Sequence, residues 1–188
     1  MTAKNLPSPE LLRKLLRYEP DTGKLYWRER TPDMFADGKR NPDASCKMWN
    51  KKHAGKEALT SLIGYRYHGG NIFNRIYYAH RVIWAISYGE WPSKQIDHIN
   101  GNRCDNRIKN LRHVSHFENG KNQRLSSNNT SGICGVSWYS ARGKWQAHIT
   151  SQGKKMLLGI FTDKADAIAA RKAAEAKYGF HPNHGRQT

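Results

Sequence analysis

The sequence of 188 residues is poor in acidic residues and contains no long hydrophobic segment. Its 15 Asp and Glu stand against 32 Lys and Arg, so the formal net charge is +17 and the pI is near 10.0. No apolar run approaches the ~18 to 20 residues that a membrane-spanning helix needs. No hydrophobic stretch follows the N-terminus, as a signal peptide would require. These absences argue against a transmembrane or secreted protein, and we expect a cytoplasmic protein without a membrane partner.

Cysteine is also scarce. The three cysteines, Cys46, Cys104 and Cys134, are far apart in the sequence, and none belongs to a C-x-x-C pair. This spacing excludes a disulfide framework and a cysteine-rich zinc site. It is typical of a protein that works in a reducing compartment.

The excess of positive charge is spread along the whole chain. Residues 1–96 carry a net +8, residues 97–124 a net +3 and residues 129–188 a net +6, and aromatic residues occur in each of these segments. A disordered basic tail would concentrate the charge at one end, whereas folded surfaces that face a polyanion distribute it. A long basic amphipathic helix, which would indicate a membrane surface, is absent. The charge pattern therefore favours nucleic acid as the partner.

The N-terminal part alternates helix and strand signals. Ser8 is a helix cap, Pro9 suits the first turn and Glu10 favours the positive end of the helix dipole. We predict, in chain order, a short helix beginning at 8–10, a strand at 24–28, a long and partly ordered loop at 31–56, short strands within 62–80 joined by a turn at 68–71, and a helix at 79–88.

The C-terminal part has the pattern of a small complete module. The segment 120–131 is polar, lacks periodicity and is rich in Ser and Asn, as linkers are. Three runs with strand character follow it, and Gly-containing turns separate them. An Ala-rich helix then ends before Gly179. We predict strands at 134–139, 144–150 and 155–161 and a helix at 163–177.

The run IDHINGNRCDNRIKNLRHVSHFENGKN, residues 96–122, concentrates side chains that suit phosphodiester hydrolysis. Hydrolysis needs a base whose pKa is near neutrality, which histidine supplies. It also needs a cation that neutralises charge on the phosphate, and oxygen ligands from acids and amides suit Mg²⁺. The run predicts a strand that ends at Asp97-His98, a second strand at 111–114 and a short helix that begins near Ser115.

This run resembles the HNH nuclease motif in the form found in phage and intron homing endonucleases, which have the ββα-metal fold. The family pattern D-H-I-(D/N)-G-N-x-x-(D/N)-N-R-x-x-N-L-R-x-V-(S/T)-x-x-E-N is matched at every specified position. The resemblance implies that His98 is the general base and that Asn110 holds the loop and orients His98. It implies that Asp97 and Asn119 bind a divalent metal ion, Mg²⁺ or Mn²⁺. It further implies phosphate contacts from Arg103, Arg107, Lys109 and Arg112, and packing of His80 and Arg81 onto the nuclease core.

Residues 131–180 resemble the plant APETALA2-type DNA-binding domain, which also occurs fused to phage HNH nucleases. The matching features are SG-x-x-GVSW, GKW-x-A-x-I, LG-x-F and the Ala-rich helix. The resemblance implies a three-stranded sheet that lies in the DNA major groove with the helix packed behind it. Cys134 stands where the family often has Arg, so one contact to DNA is expected to differ. Strand alternation alone leaves open which face meets DNA. The expected DNA contacts are Trp138, Tyr139, Arg142, Lys144, Gln146, Lys154 and Lys155.

Together these observations predict an α+β fold, in which a ββα-metal nuclease core precedes a small three-stranded antiparallel sheet packed on one helix. The expected organisation is an accessory DNA-contacting region at 1–74, the nuclease domain at 75–124, a linker at 125–130 and the APETALA2-type domain at 131–182.

The predicted function is that of a metal-dependent DNA endonuclease of the phage homing type. We expect it to act on double-stranded DNA, in a bacterial cell or phage-infected host, as a monomer or weak dimer. A DNA-binding regulator with an inactive nuclease domain remains an alternative, as does a nuclease of the restriction or packaging type.

Overall fold

The structure is a computed structural model, and it describes residues 6–36 and 40–187. The chain forms two compact units. The first contains residues 1–98 and 102–113, and the second contains 99–101 and 114–188. Both combine helices with small antiparallel sheets, which confirms the predicted α+β class. None of the helices in the described ranges has the length and apolar character that crossing a membrane requires.

The first unit is built from three helices and three small sheets. Its helices are α1 (Pro9–Leu15), α2 (Pro42–His53) and α3 (Ala79–Tyr88), with 3₁₀ turns at Pro32–Phe35 and Ile108–Asn110. Its first two sheets are β1 (Leu16–Glu19), β2 (Lys24–Trp27) and β3 (Glu57–Ala58), then β4 (Ser61–Ile63), β5 (Tyr67–Ile72) and β6 (Arg75–Tyr78). The third sheet pairs β7 (Gln95–His98) with β8 (Leu111–Val114), the latter ending at the unit boundary.

The core of the first unit forms where α1 and α3 bury their apolar sides. Ser8 caps α1 through a hydrogen bond from the backbone N–H of Leu11 to its Oγ (3.1 Å), as the sequence predicts. Leu12, Val82 and Ile83 have no exposed surface. Gly89 ends α3 in the left-handed conformation, at the predicted position. This core also takes in Ile96 of β7, and it thereby fixes the strand that carries the Asp97-His98 pair.

Two sequence predictions in the first unit are wrong. The segment 31–56 is not a loop, because the 3₁₀ turn at 32–35 and α2 together occupy most of its described residues. The Oδ1 atom of Asn41 caps α2 and Pro42 opens it, but only Cys46 of this helix is buried, so it has no apolar periodicity to detect. Likewise, 68–71 is not a turn but lies inside β5. A Cβ on Gly69 would come within 2.6 Å of a backbone oxygen of β6, so glycine serves close strand approach there.

The second unit consists of α4 (His116–Gly120), a three-stranded sheet and a long helix. The sheet has the order β11-β10-β9, and the helix α5 packs against it. The predicted strands and helix of this module are confirmed to within two residues. The boundaries are β9 (Val136–Tyr139), a 3₁₀ turn at Ser140–Arg142, β10 (Lys144–Ser151), β11 (Lys154–Phe161) and α5 (Lys164–Lys177).

Val136, Ala147 and Ala167 form the buried centre of this unit, between the sheet and α5. The domain boundaries predicted from the sequence stay predictions. The division between the compact units falls between 113 and 114, inside the predicted nuclease domain.

Candidate active site

The strand β7 ends on two buried polar side chains. Ile96 packs in the core with 6% of its surface exposed, and Asp97 and His98 follow with 8% and 3%. Burial of a carboxylate and an imidazole is unfavourable unless each has polar partners. The partners of these two side chains therefore show what the site is built to do.

Asp97 is paired with Arg112 of the neighbouring strand β8. The Nε and Nη2 atoms of Arg112 donate to Oδ2 of Asp97 at 2.9 and 2.7 Å. The side chain of Asp97 is 9% exposed and that of Arg112 is 34% exposed, so the ion pair lies at the edge of the unit. The structure thus joins a predicted metal ligand to a predicted DNA contact.

His98 contacts a polar side chain of the following loop and two aromatic rings. Its Nε2 lies 3.1 Å from Oδ1 of Asn106. Because this oxygen can only accept, the contact selects the tautomer with the proton on Nε2 and the lone pair on Nδ1. The rings of Tyr67 and His80 lie with their centroids 5.8 and 5.3 Å from that of His98.

The surroundings of His98 favour its neutral form. Burial lowers the pKa of His98, and this effect exceeds the opposite effects of the Asn106 hydrogen bond and of the Asp97 and Asp105 carboxylates. Beside it, burial lowers the pKa of His80 to about 3, so that ring carries no charge at neutral pH. A neutral imidazole is the form in which histidine accepts a proton.

The loop that follows β7 is tied to itself by Asp105. Asn110 donates from Nδ2 to the backbone oxygen of Asp105 (2.8 Å), and Nε of Arg107 donates to Oδ1 of the same residue (2.7 Å). Asn110 thus bonds to the backbone of this loop, and Asn106 of the same loop contacts the His98 ring. The predicted role of Asn110 in orienting His98 stays a prediction.

The loop is also tied to the hairpin β1–β2. The hydroxyl of Tyr18 accepts from the backbone N–H of Ile108 (2.8 Å) and donates to the oxygen of Asn106 (3.1 Å). Gly23, at the β1–β2 turn, approaches so closely that a Cβ there would lie 2.5 Å from the backbone nitrogen of Arg107.

The other predicted contacts of this region have different surroundings. Arg103 donates to the backbone oxygen of Tyr65 (2.9 Å), and its guanidinium lies 5.2 Å from the Tyr67 ring centroid. Lys109 is exposed. Asn119 belongs to the second unit, in α4, which begins with a capping box between Ser115 and Glu118. No predicted role of these residues is tested by their positions.

Sequence reasoning missed three residues that shape the site. Asn106 is 2% exposed and contacts the His98 ring, although the motif already contains it as one Asn among several. Tyr67 and Tyr18 reach the site from β5 and β1, and nothing in the sequence links these strands to the motif. The predicted packing of His80 onto this core is confirmed by its 6% exposure.

In the second unit, strand register separates the predicted DNA contacts by face. Trp138 pairs with Trp145, and Trp145 packs on the buried centre beside α5, so both rings lie on the helix side. Lys144 pairs with Tyr139, and Gln146 bonds to Ser137 (3.1 Å), on the other side of the sheet. We call the side opposite α5 the open face; Tyr139, Lys144, Gln146 and Lys155 lie on it. Arg142 lies in the 3₁₀ turn at 140–142, and Lys154 is the first residue of β11, where it pairs with Ser151.

The donor set fits a hard cation that takes few ligands from the protein. Among the described residues there is no group of three or more His, Cys, Asp and Glu side chains that could hold a metal ion. A Mg²⁺ ion that keeps water and phosphate oxygens needs only one or two protein ligands. The carboxylate of Asp97 is of the right type for one of them.

The segment that contains β7, β8 and the Asp97-His98 pair is similar to a known protein family. A family model described as HNH endonuclease matches residues 77–121, from the end of β6 to just beyond α4. Protein 3.8 of Escherichia phage T7 is 36% identical to this chain over 77 residues, which are 40% of the chain. The match spans 64% of that relative's own length. No solved structure matches the chain.

Proposed function

We propose that this chain is a metal-dependent DNA endonuclease that hydrolyses a phosphodiester bond with His98 as the general base. The observation that carries the proposal is the buried pair at the end of β7. There a carboxylate adjoins an imidazole that burial keeps neutral and that Asn106 fixes in one tautomer. The match of residues 77–121 to HNH endonucleases supports the same activity.

In the proposed reaction, His98 accepts the proton of the water that attacks phosphorus. The lone pair on Nδ1 is the acceptor in the tautomer that Asn106 selects. The products would carry 5′-phosphate and 3′-hydroxyl ends. Asp97, together with Asn119, would hold the divalent cation. When bound, that cation would neutralise charge on the scissile phosphate and the leaving oxygen.

We further propose that the second unit grips DNA in the manner of an APETALA2-type domain. Its sheet leaves one side free of α5, and that open face carries Lys144, Lys155 and Gln146. Lysine side chains contact phosphates and an amide suits a base edge. A reader domain beside a nuclease is what a phage homing endonuclease requires, and the relative from phage T7 fits a phage origin.

One observation favours the second candidate, a DNA-binding regulator without nuclease activity. Oδ2 of Asp97, the predicted metal ligand, already binds the guanidinium of Arg112. While that pair stays closed, a metal ion at β7 has to compete with Arg112 for the Asp97 carboxylate. The protein would then be a sequence-specific DNA-binding regulator that does not cleave its site.

The test is cleavage of supercoiled plasmid and of phage DNA with Mg²⁺, with Mn²⁺ and with chelator. The wild type is compared with His98→Ala and with a control, His53→Ala, which alters a histidine at the end of α2. We expect metal-dependent nicking or cutting that falls about 10²- to 10⁴-fold in His98→Ala, the range for loss of a general base. DNA affinity, measured by fluorescence anisotropy, should not change in either variant.

Two outcomes would contradict this proposal. Tight binding without cleavage under any of these metals would favour the regulator. Cleavage that survives in His98→Ala would remove His98 from the role of base.

A further inference from the structure

The second unit contains a cavity of about 390 Å³ at the point where β10 extends beyond its pairing with β9. Basic side chains from different elements line it: His148 and Lys155 from the sheet, Arg171 from α5 and His184 from the C-terminal segment. None of the described residues that line it is an Asp or a Glu. A cavity that is rich in donors and poor in acceptors favours an anion.

Arg171 brings a guanidinium to this cavity, and because Arg171 and Lys172 share the single carboxylate of Glu175, this group of charges keeps a net positive charge. The side chain of Arg171 is only 5% exposed. Its Nε donates to Oε1 of Glu175 (2.9 Å) and its Nη1 donates to the backbone oxygen of His148 (2.6 Å). Because these bonds hold the guanidinium in one orientation, a ligand would not have to order it on binding.

His184 supplies a hydrogen-bond donor that lacks an acceptor. Its Nε2 lies 3.1 Å from Nη2 of Arg171, and since arginine only donates, Nε2 accepts and the ring proton is on Nδ1. The side chain is 7% exposed, and Nδ1 is buried without a hydrogen-bond partner. Burial lowers the pKa of His184, and the Glu175 carboxylate and the backbone oxygen of Lys121 act in the opposite direction. The Lys121 oxygen accepts a hydrogen bond from the backbone N–H of His181 (3.1 Å).

A buried N–H without an acceptor is unfavourable, and native structures rarely contain one that no ligand or water satisfies. Lys155 also lines this cavity. It pairs with Thr150, and both lie on the open face of the sheet. The cavity therefore adjoins the surface proposed to meet DNA.

We propose that this cavity binds a phosphate group, with Nδ1 of His184 donating to a phosphate oxygen and Arg171 and Lys155 supplying positive charge. The phosphate can belong to the DNA backbone or be free. Its assignment to DNA rests on the proposed function, whereas binding of phosphate itself does not.

Cys134 provides a reporter for occupancy, because it lines the cavity and is partly exposed. In a full-length Cys104→Ser background, which leaves Cys134 and the buried Cys46, the alkylation rate of Cys134 by iodoacetamide is measured. Mildly alkaline buffer is used because burial raises the pKa of this thiol. The probes are inorganic phosphate and a short DNA duplex, each compared with chloride at equal ionic strength.

We expect the rate to fall about tenfold when the probe reaches about ten times its Kd, since only the unoccupied fraction reacts. Protection by the duplex at far lower concentration than by inorganic phosphate identifies the DNA backbone as the source. Protection by inorganic phosphate alone identifies free phosphate. If neither probe protects Cys134, the proposal is wrong.

Three variants test which side chains hold the phosphate. His184→Phe removes the donor and keeps a ring against Phe180, whose centroid is 4.8 Å away. Lys155→Gln removes an exposed charge, and Lys177→Gln makes the same charge change outside the cavity. We expect the Kd of the protecting probe to rise about tenfold in His184→Phe and in Lys155→Gln, the order for one charge-assisted hydrogen bond. In Lys177→Gln this Kd should stay unchanged.

If the probes protect Cys134 equally well in all three variants, His184 and Lys155 do not hold the phosphate. If His184→Phe does not fold, Lys155→Gln still carries the test, because its side chain is on the surface. The reporter does not depend on DNA cleavage, so an inactive nuclease would leave this result unaffected.

Discussion

Two adjacent side chains at the end of β7 have different electrostatic surroundings. Asp97 lies against the guanidinium of Arg112, whereas His98 lies among uncharged rings that include Tyr67 and His80. The pair offers a carboxylate that could bind a metal ion next to a neutral imidazole. The carboxylate, however, is already bonded to the guanidinium of Arg112. At the scale of single residues, the competition between Arg112 and a metal ion therefore governs the site.

Arg112→Gln tests that competition. Glutamine removes the positive charge and keeps one amide donor for Asp97. We expect Mn²⁺ affinity, measured by electron paramagnetic resonance, to increase about tenfold, as for removal of one charge about 5 Å from a divalent ion in a water-like dielectric. The matched control is Arg17→Gln, which opens an exposed pair with Glu19. Weaker Mn²⁺ binding in Arg112→Gln would instead show that Arg112 positions the carboxylate for the metal.

The buried His80 predicts how stability depends on pH. Its pKa is about 3 in the folded protein and 6.5 in the unfolded chain, so between these values only the unfolded chain binds the proton. Stability is therefore lost as pH falls below about 6.5, by up to ~1.4 kcal/mol per pH unit for this one group.

In His80→Phe this contribution disappears. The free energy of unfolding, measured with urea, should therefore decrease less between pH 7 and pH 5 than in the wild type. Phenylalanine suits the surrounding rings and removes an Nδ1 that has no hydrogen-bond partner, so stability at pH 7 should not decrease. His53→Ala is the control. Identical pH slopes in wild type and His80→Phe would refute the assignment.

At this scale the sequence predicts the site only where the pattern is local. Asp97, His98 and Asn110 could be singled out because the motif holds them at fixed spacing, and the structure puts the first two together at the end of β7. The rings of Tyr67 and His80 could not be placed there, because their contacts with His98 depend on how β5 and α3 pack. Assigning the His98 contact to Asn106 needs the loop geometry as well.

Among the elements, the predictions succeed where side-chain periodicity or a cap marks the boundary. The helix α3 begins and ends at the predicted residues, and the β8 bounds are those predicted. The helix α2 was missed because it buries little apolar surface; instead, Trp49 of α2 contacts Trp27 and the guanidinium of Arg30. Tertiary contacts of this kind leave no periodic signal in the sequence.

The hairpin β1–β2 packs against the loop that follows β7. Gly23→Ala tests whether this contact supports the loop. Gly23 has φ +75° and a Cβ there would meet the Arg107 backbone, whereas Gly55 has φ +73° and open space around its Cβ position. Both substitutions should cost about 1 kcal/mol for the left-handed backbone. Gly23→Ala should cost a further ~1 to 3 kcal/mol through overpacking.

Because the loop carries Asn106, Gly23→Ala should also slow DNA cleavage, while Gly55→Ala should not. Thermal unfolding and single-turnover cleavage measure the two effects. Equal losses in both variants would mean that the hairpin does not support the loop.

For the whole molecule, the DNA contact proposed for the second unit depends on which face of its sheet carries the basic side chains. The sequence predicts the strands of this sheet, but alternation alone cannot tell the two faces apart. The register does so, because Trp145 and Ala147 pack towards α5 and leave Lys144 on the opposite side. The register thereby separates Trp138 from Tyr139, Lys144 and Gln146, which lie on the open face.

Two double variants with the same net charge test whether the open-face end of the sheet binds phosphates. Arg142→Gln/Lys144→Gln changes the 140–144 connection, and Lys164→Gln/Lys177→Gln changes α5, where Lys164 lies over Trp145 at 5.2 Å. Each reduces the formal charge by two. The slope of log Kobs against log salt, measured by anisotropy on duplex DNA, should fall in magnitude by about 2 in the first variant, because each lost phosphate contact contributes about 0.9. The second variant should keep the wild-type slope, since α5 lies behind the sheet. Equal slopes in the two variants would mean that DNA responds to the total charge and not to the open face.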